Sequence, residues 1–240
     1  EIDLTEILEH PGVQLFINVK PTMIGPLLDA EQVTFTLNQY SIVRQAALID
    51  GAFEYYGVLL EEITKYFKES EVNFKTQSAH SKIYNKNIFS NFNALLESPG
   101  IKSFKDSLCN IPAIICSAGP SLDKNIHLLK SARKRFFLIA VATALKPLRY
   151  HGIQPDAVIS IDPDDLTINS FELNEVAEFW FVSPPAVPGI LPKIFYKRRL
   201  IFDSEVYLSK WFKKYTEEKG SLGKISSVAH SAVMFSQYLG

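Results

Sequence analysis

Residues 111–123, Ile-Pro-Ala-Ile-Ile-Cys-Ser-Ala-Gly-Pro-Ser-Leu-Asp, constrain the fold of this chain more than any other stretch. Ala113–Cys116 is a short apolar run of the kind that forms a buried strand. It stops at Ser117-Ala118-Gly119-Pro120, and a helical pattern starts at once, with Leu122, Ile126 and Leu129 on one face. Ser121 stands at the expected N-cap, where its hydroxyl can accept from an exposed N–H of the first turn. A strand, a tight glycine turn and a helix start together make an anion site. Gly119 allows an unusual backbone angle and close approach of a ligand, while free N–H groups and the helix dipole face negative charge. An ordinary strand–helix turn has the same pattern, and these residues alone leave both readings open.

After this turn the order becomes regular. A helix at 121–132 leads to a strand at 136–141, and a short helix at 144–150 is closed by Gly152 as a left-handed cap. Pro155-Asp156 turns the chain into a strand at 157–161. Apolar runs at 179–182 and 200–202 and helices at 206–219 and 228–239 complete the series. Alternating strands and helices predict an α/β fold with a mostly parallel, doubly wound sheet. Ligands of such sheets bind at the carboxyl ends of the strands, here 117–121, Ala142-Thr143, 161–165 and 183–185.

The first 80 residues read as a smaller, mixed α/β region. A helix is expected at 2–9, an apolar run follows at 13–19, Pro21 and Gly25-Pro26 break the pattern, and 33–37 alternate like a strand. An amphipathic helix at 52–69 carries Phe53, Tyr56, Leu60, Ile63 and Phe67 on one stripe. A polar connection is expected at 70–80, then a second helix at 81–97 ended by Pro99-Gly100. The domain boundary falls near 80: an accessory region at 1–80, a helical lead-in at 81–110 and a nucleotide-binding domain at 111–240.

Composition removes several classes of function. With 240 residues, 47% hydrophobic and 21% charged, and a net charge of −1, the chain is not the basic protein expected of a dedicated nucleic-acid binder. No apolar run approaches the roughly 20 residues needed to cross a bilayer. Its two cysteines, Cys109 and Cys116, read as reduced thiols and suit the cytoplasm. The chain opens at Glu1 and reads as an internal piece of a longer protein.

The strand ends limit the chemistry. A dinucleotide fingerprint needs three spaced glycines and an acidic residue after the second strand, but this turn has only Gly119, and Ala142-Thr143 follow that strand. Gly223-Lys224 is followed by Ile225, so a P-loop fails as well. Asp162, at a strand end, can hold a cation against a diphosphate or bond a ribose hydroxyl, with Pro163 setting the turn. Asp164 and Asp165 read as a solvated acidic turn. The five histidines show no metal-ligand spacing. His230, in Ser226-Ser227-Val228-Ala229-His230-Ser231, stands in the first turn of the last helix, where the dipole disfavours its cation and leaves it able to take a proton. The basic runs at 130–135 and 193–199 read as solvated faces or as steering groups for an anion.

Taken together, these stretches resemble the motility accessory factor family and its archaeal relatives, the 6-hydroxymethylpterin diphosphokinase-like proteins. The resemblance rests on Pro112-Ala113-Ile114-Ile115 running into Gly119-Pro120-Ser121-Leu122-Asp123, on Ala144-Leu145-Lys146-Pro147-Leu148, and on Gly152-Ile153-Gln154-Pro155-Asp156. It continues in Ser160-Ile161-Asp162-Pro163, Ser227-Val228-Ala229-His230-Ser231 and Tyr238-Leu239-Gly240, with Asn87-Ile88-Phe89-Ser90-Asn91 ahead of the domain. It implies a Rossmann-like domain related to bacterial sialyltransferases, and transfer of a CMP-activated nonulosonic acid (pseudaminic or legionaminic type) to Ser or Thr of flagellin. The archaeal branch instead moves diphosphate from ATP, with Mg²⁺, to a pterin alcohol. A non-catalytic flagellin-binding module is the third reading. The family continues past the last glycine with another apolar strand and a Gly-Gln-Asp-Leu segment, so part of the site is expected beyond Gly240.

On this resemblance the nucleotide phosphate falls to Ser117, Gly119, Pro120, Ser121, Leu122, Asp123 and Thr143. Asp162 contacts the ribose or organises the acceptor, and His230 is a base or a donor to the leaving phosphate. Ser227 and Arg198 meet the substrate, with Lys197 or Arg199 as other partners for the sugar carboxylate. The expected partners are a nucleotide-sugar and flagellin, with neither nucleic acid nor membrane.

Overall fold

The computed structural model describes residues 9–10, 12–29, 34–35, 40–44, 51–172 and 178–240. The helix expected at 2–9 falls outside these residues apart from Glu9. Of the strand-like stretch 33–37 only Thr34 and Phe35 are described, and they are helical. The chain divides into two compact units, Glu1–Ala79 and His80–Gly240.

In the first unit the prolines do not break the chain but begin helices. Pro21 opens a 3₁₀ turn, Pro21–Met23, and Pro26 lies in the first turn of α1, Ile24–Leu28. A missing N–H costs nothing at such positions. The long helix α2, Phe53–Ser90, is continuous over 38 residues, so the connection expected at 70–80 is helix. That stretch contains no glycine or proline to stop it, and its polarity marks a solvated face rather than a loop. A Lys75–Glu71 pair one turn apart, at 2.5 Å, supports it there. Within this unit Tyr40 stacks on Phe67 at 4.1 Å, and the Tyr66 hydroxyl donates to Asp29 Oδ1 at 3.1 Å. Burial first, and the Asp29 carboxylate second, push the Tyr66 hydroxyl up to about 12.

The second unit takes the end of α2, then α3, Phe92–Glu97. Five described strands follow: β1 Ala113–Cys116, β2 Phe137–Val141, β3 Ala157–Ile159, β4 Trp180–Ser183 and β5 Arg199–Ile201. Between them run α4 (Pro120–Ala132), α5 (Leu145–Tyr150) and α6 (Leu191–Ile194), and after them α7 (Tyr207–Phe212) and α8 (Val228–Leu239). All four pairings are parallel, in register at Ala113↔Phe137, Ile139↔Ala157, Ala157↔Trp180 and Phe181↔Arg199.

The parallel α/β sheet agrees with the sequence, but its winding is simpler. The order is β1-β2-β3-β4-β5, so every crossover steps the same way, and the reversal that makes a sheet doubly wound is not among the described strands. Right-handed crossovers then lay their helices on one face. Ala157, Val158 and Ile159 are nevertheless fully buried, as are Leu138, Ile139 and Ala140, so both faces are covered. Helix α8 contributes to this cover by packing across β1, β2 and β3 through Ala232, Phe235 and Leu239.

The direction of α8 matters for the site. Its last carbonyls, on Tyr238 and Leu239, accept the Asp106 and Leu108 N–H groups at 3.0 and 2.8 Å, just ahead of β1. The helix therefore ends at the amino edge of the sheet and begins toward the carboxyl edge, about 18 Å away for 12 residues. The helix expected at 206–219 shrinks to α7, because Lys213 to Lys219 offers no apolar stripe to bury.

Candidate functional site

The turn after β1 differs from its expected form in two respects. Gly119, not Ser121, is the N-cap of α4, and no side chain caps it. Pro120 takes the first helical position and fixes the cap one residue pair earlier. Gly119 has φ −175° and ψ 166°, extended backbone open to any residue, so no unusual angle is required there. What the glycine provides is space: a Cβ built on it meets nothing within 4 Å. Pro120 has no N–H, and the Leu122 N–H is taken by the Gly119 carbonyl at 2.9 Å. The Gly119 and Ser121 amides are thus the ones left to a ligand at this helix start. Ser117, Pro120, Ser121 and Asp123 are exposed around it, whereas the Leu122 side chain is buried in the core. The Asp123 carboxylate, in the first turn, favours the helix dipole but repels a phosphate. The thiol of Cys116, directly below, is pushed up by burial.

Thr143 is exposed in the 3₁₀ turn Ala142–Ala144 after β2. Beyond β3, Asp162 is exposed and its Oδ1 accepts the Asp164 N–H at 3.0 Å, closing a turn around buried Pro163. Asp164 repeats the device, accepting from Leu166 N–H at 2.9 Å. The acidic run is bent into two successive caps, and among the described residues no group of three or more His, Cys, Asp or Glu converges as a metal cluster.

His230 sits at the start of α8. Ser227 is the N-cap and its hydroxyl accepts the His230 N–H at 3.0 Å. The ring is held by Ser226, whose N–H donates to Nδ1 at 3.2 Å with its hydroxyl at 3.0 Å. A backbone N–H can only donate, so Nδ1 carries the lone pair and Nε2 the proton. Of the two roles expected for His230, donor and base, this tautomer fits the donor.

The basic run at 193–199 divides. Arg199 is buried and spent on Ser98 Oγ, the Pro192 carbonyl at 2.7 Å and Glu97 at 3.2 Å. Arg198 precedes β5, and therefore stands at the amino edge, donating to the Glu178 carbonyl at 2.5 Å. Neither faces the strand ends that carry Gly119, Thr143 and Asp162, because Arg198 lies ahead of its parallel strand and Arg199 is that strand's first residue, both at the opposite edge. A cavity of about 780 Å³ also lies at the amino edge, lined by Ile111, Pro112, Arg133, Gln154 and Asp156 among others. Its Arg133 is a structural cation, paired with Asp156 at 2.7 Å and donating to the Gln154 carbonyl at 2.7 Å.

The sequence assigns no role in the site to three residues at the carboxyl edge. Asn87 and Asn91 are buried and bond the loops beyond β3 and β4. Tyr84, one turn before Asn87, is half-buried, and its hydroxyl is pushed up first by burial and then by the Asp162 charge. Two asparagines four apart on either side of Ile88 were the available signal, since an amide so placed must be buried with partners.

Among known proteins, the chain resembles in fold the solved MAf glycosyltransferase from Magnetospirillum magneticum AMB-1. The TM-score is 0.65 at 16% identity, over 99% of this chain and 38% of that one. An uncharacterized protein of Treponema pallidum (strain Nichols) is 41% identical over 75 residues, 30% of this chain and 36% of that protein. The chain thus spans little more than a third of either. The family model described as 6-hydroxymethylpterin diphosphokinase MptE-like matches residues 86–240, the stretch that holds the five described strands and the turns at their carboxyl ends. On that match the chain belongs to the MptE-like family.

Proposed function

We propose that the second unit binds a CMP-activated nonulosonic acid at the carboxyl edge of its sheet and passes the sugar to Ser or Thr hydroxyls of flagellin in the cytoplasm. One observation carries this reading: a single edge of a parallel sheet receives the open glycine turn at 117–123, the Asp162 turn and the start of α8 with His230. The fold shared with a glycosyltransferase supports it.

In this reading the Gly119 and Ser121 amides hold the CMP phosphate, with Ser117 and Thr143 at its margins. Asp123, unsuited to a phosphate, takes a ribose hydroxyl. The sugar–phosphate bond breaks and a bond from the sugar to the acceptor oxygen forms. CMP leaves as an anion and needs no proton, so a neutral His230 has only to point its Nε2–H at the leaving oxygen, where negative charge grows. Asp162 accepts the proton of the acceptor hydroxyl.

Calorimetric titration with CMP and, separately, with ATP and Mg²⁺ tests the reading. Saturable CMP binding supports it. Binding of ATP with Mg²⁺ alone favours instead the diphosphate transfer to a pterin that the family description names. In a full-length protein His230→Ala should lose transfer while keeping donor affinity; full activity removes His230 from the scheme.

A further inference from the structure

Asn87 and Asn91 lie four residues apart, linked by the Asn91 N–H to the Asn87 carbonyl, and are 2% and 1% exposed. Burying an amide is costly unless it is bonded, and both side chains spend their two hydrogens on backbone carbonyls. Asn87 Nδ2 donates to Pro163 O at 2.8 Å and to Ala186 O at 2.9 Å. Asn91 Nδ2 donates to Pro185 O at 2.9 Å and to Val187 O at 2.7 Å. All four acceptors lie in the loops beyond β3 and β4.

The two clamps differ in what they hold. Asn91 fastens the β4 loop to itself, with both acceptors within three residues. Asn87 joins the β4 loop to the β3 loop, and its β3 acceptor is the residue next to Asp162. The Pro163 carbonyl and the Asp164 N–H belong to one planar peptide piece, so whatever holds the carbonyl also aims the N–H that Asp162 Oδ1 accepts. That piece hangs on Asn87 through the Pro163 carbonyl. Tyr84, one turn earlier on the same helix, is close enough to feel the Asp162 charge.

We propose that Asn87 is the positioning residue for Asp162: it aims the carboxylate at the ligand by holding the Pro163 carbonyl, while Asn91 serves the β4 loop alone. The aim matters for function only if Asp162 takes the acceptor proton, as in the reading above. The orientation itself is independent of that reading.

The experiment compares Asn87→Ala, Asn91→Ala, Asp162→Ala and the Asn87→Ala/Asp162→Ala double variant. In amide NMR spectra of the full chain, the Asp164 N–H signal should move toward its unbonded position in Asn87→Ala, as in Asp162→Ala, and stay in place in Asn91→Ala. Each asparagine variant loses two bonds to carbonyls, so equal movement in both would mean general loosening and overturn the proposal. In a full-length protein, transfer should fall at least about tenfold in Asn87→Ala and in Asp162→Ala, and no further in the double variant than in Asp162→Ala alone. Additive losses would also overturn it. If the unaltered chain does not bind CMP, the nucleotide reading fails and the Asp164 signal alone decides the positioning role. Should Asn87→Ala not fold, Asn87→Ser, which keeps one donor, carries the same comparison.

Discussion

The substitution Gly119→Val separates folding from ligand approach. Gly119 is extended, with φ −175°, and its missing Cβ would point into space with nothing within 4 Å. Replacing a glycine that needs no special angle stabilises by about 0.4–1 kcal/mol through the unfolded chain. Losing glycine as a helix cap costs a comparable amount, roughly 0.5–1 kcal/mol. The two nearly cancel, and the variant should unfold within about 1 kcal/mol of the parent. Ligand binding should behave differently. Two amide bonds to a charged phosphate are each worth about 1.5–3 kcal/mol, and the branched side chain fills the space from which that phosphate approaches. Losing both weakens binding by at least about 100-fold. Denaturant unfolding and calorimetric CMP titration of the same two proteins provide the assay. Unchanged affinity in a folded Gly119→Val refutes backbone approach at this turn, and a large loss of stability refutes the open space.

Other substitutions test the surrounding framework. Gly100→Ala should destabilise by about 3 kcal/mol or more in denaturant titration, because its Cβ would lie 2.4 Å from Lys219 Cα and O, backbone that cannot swing away. Arg198→Ala should leave CMP affinity unchanged; a clear loss would mean that the amino edge takes part in binding. For Tyr66, the folded hydroxyl at about 12 lies above its ordinary value near 10, so folding favours the protonated form. Its stabilising contribution is complete below pH 10 and disappears as the pH rises from 10 through about 12. The unfolding free energy of the full chain should fall over that interval by more than it does in Tyr66→Phe.

The sequence made the strands legible because each is a local apolar run, and the site edge followed from parallel pairing. Sheet order was not legible, since which strands become neighbours depends on contacts between distant segments. Polarity at 70–80 suggests a loop that would divide α2, but the stretch holds neither glycine nor proline, the strongest breakers, and its polarity belongs to a solvated helix face. At the β1 turn the hydroxyl of Ser121 suggested a cap, whereas Pro120 at the first helical position settled the cap at Gly119. Arg198 and Arg199 look alike in a basic run, but Arg198 lies in the exposed bend ahead of β5 while Arg199 begins the buried strand. Asn87 could not be assigned its partners in advance, because they are backbone carbonyls 76 and 99 residues away.

The return of α8 to the residues ahead of β1 also sets an order of assembly during synthesis. The Asp106 and Leu108 amides wait for Tyr238 and Leu239, more than 130 residues later. Gly119 leaves the ribosome 111 residues before His230, a delay of roughly 5–20 s at ordinary elongation rates. Throughout that interval the glycine turn exists without the histidine, and the sheet lacks the cover that Phe235 and Leu239 provide. The nascent chain therefore passes through a stage with exposed apolar surface and without His230 at the edge, and the arrival of α8 covers that surface and brings in the histidine in one event.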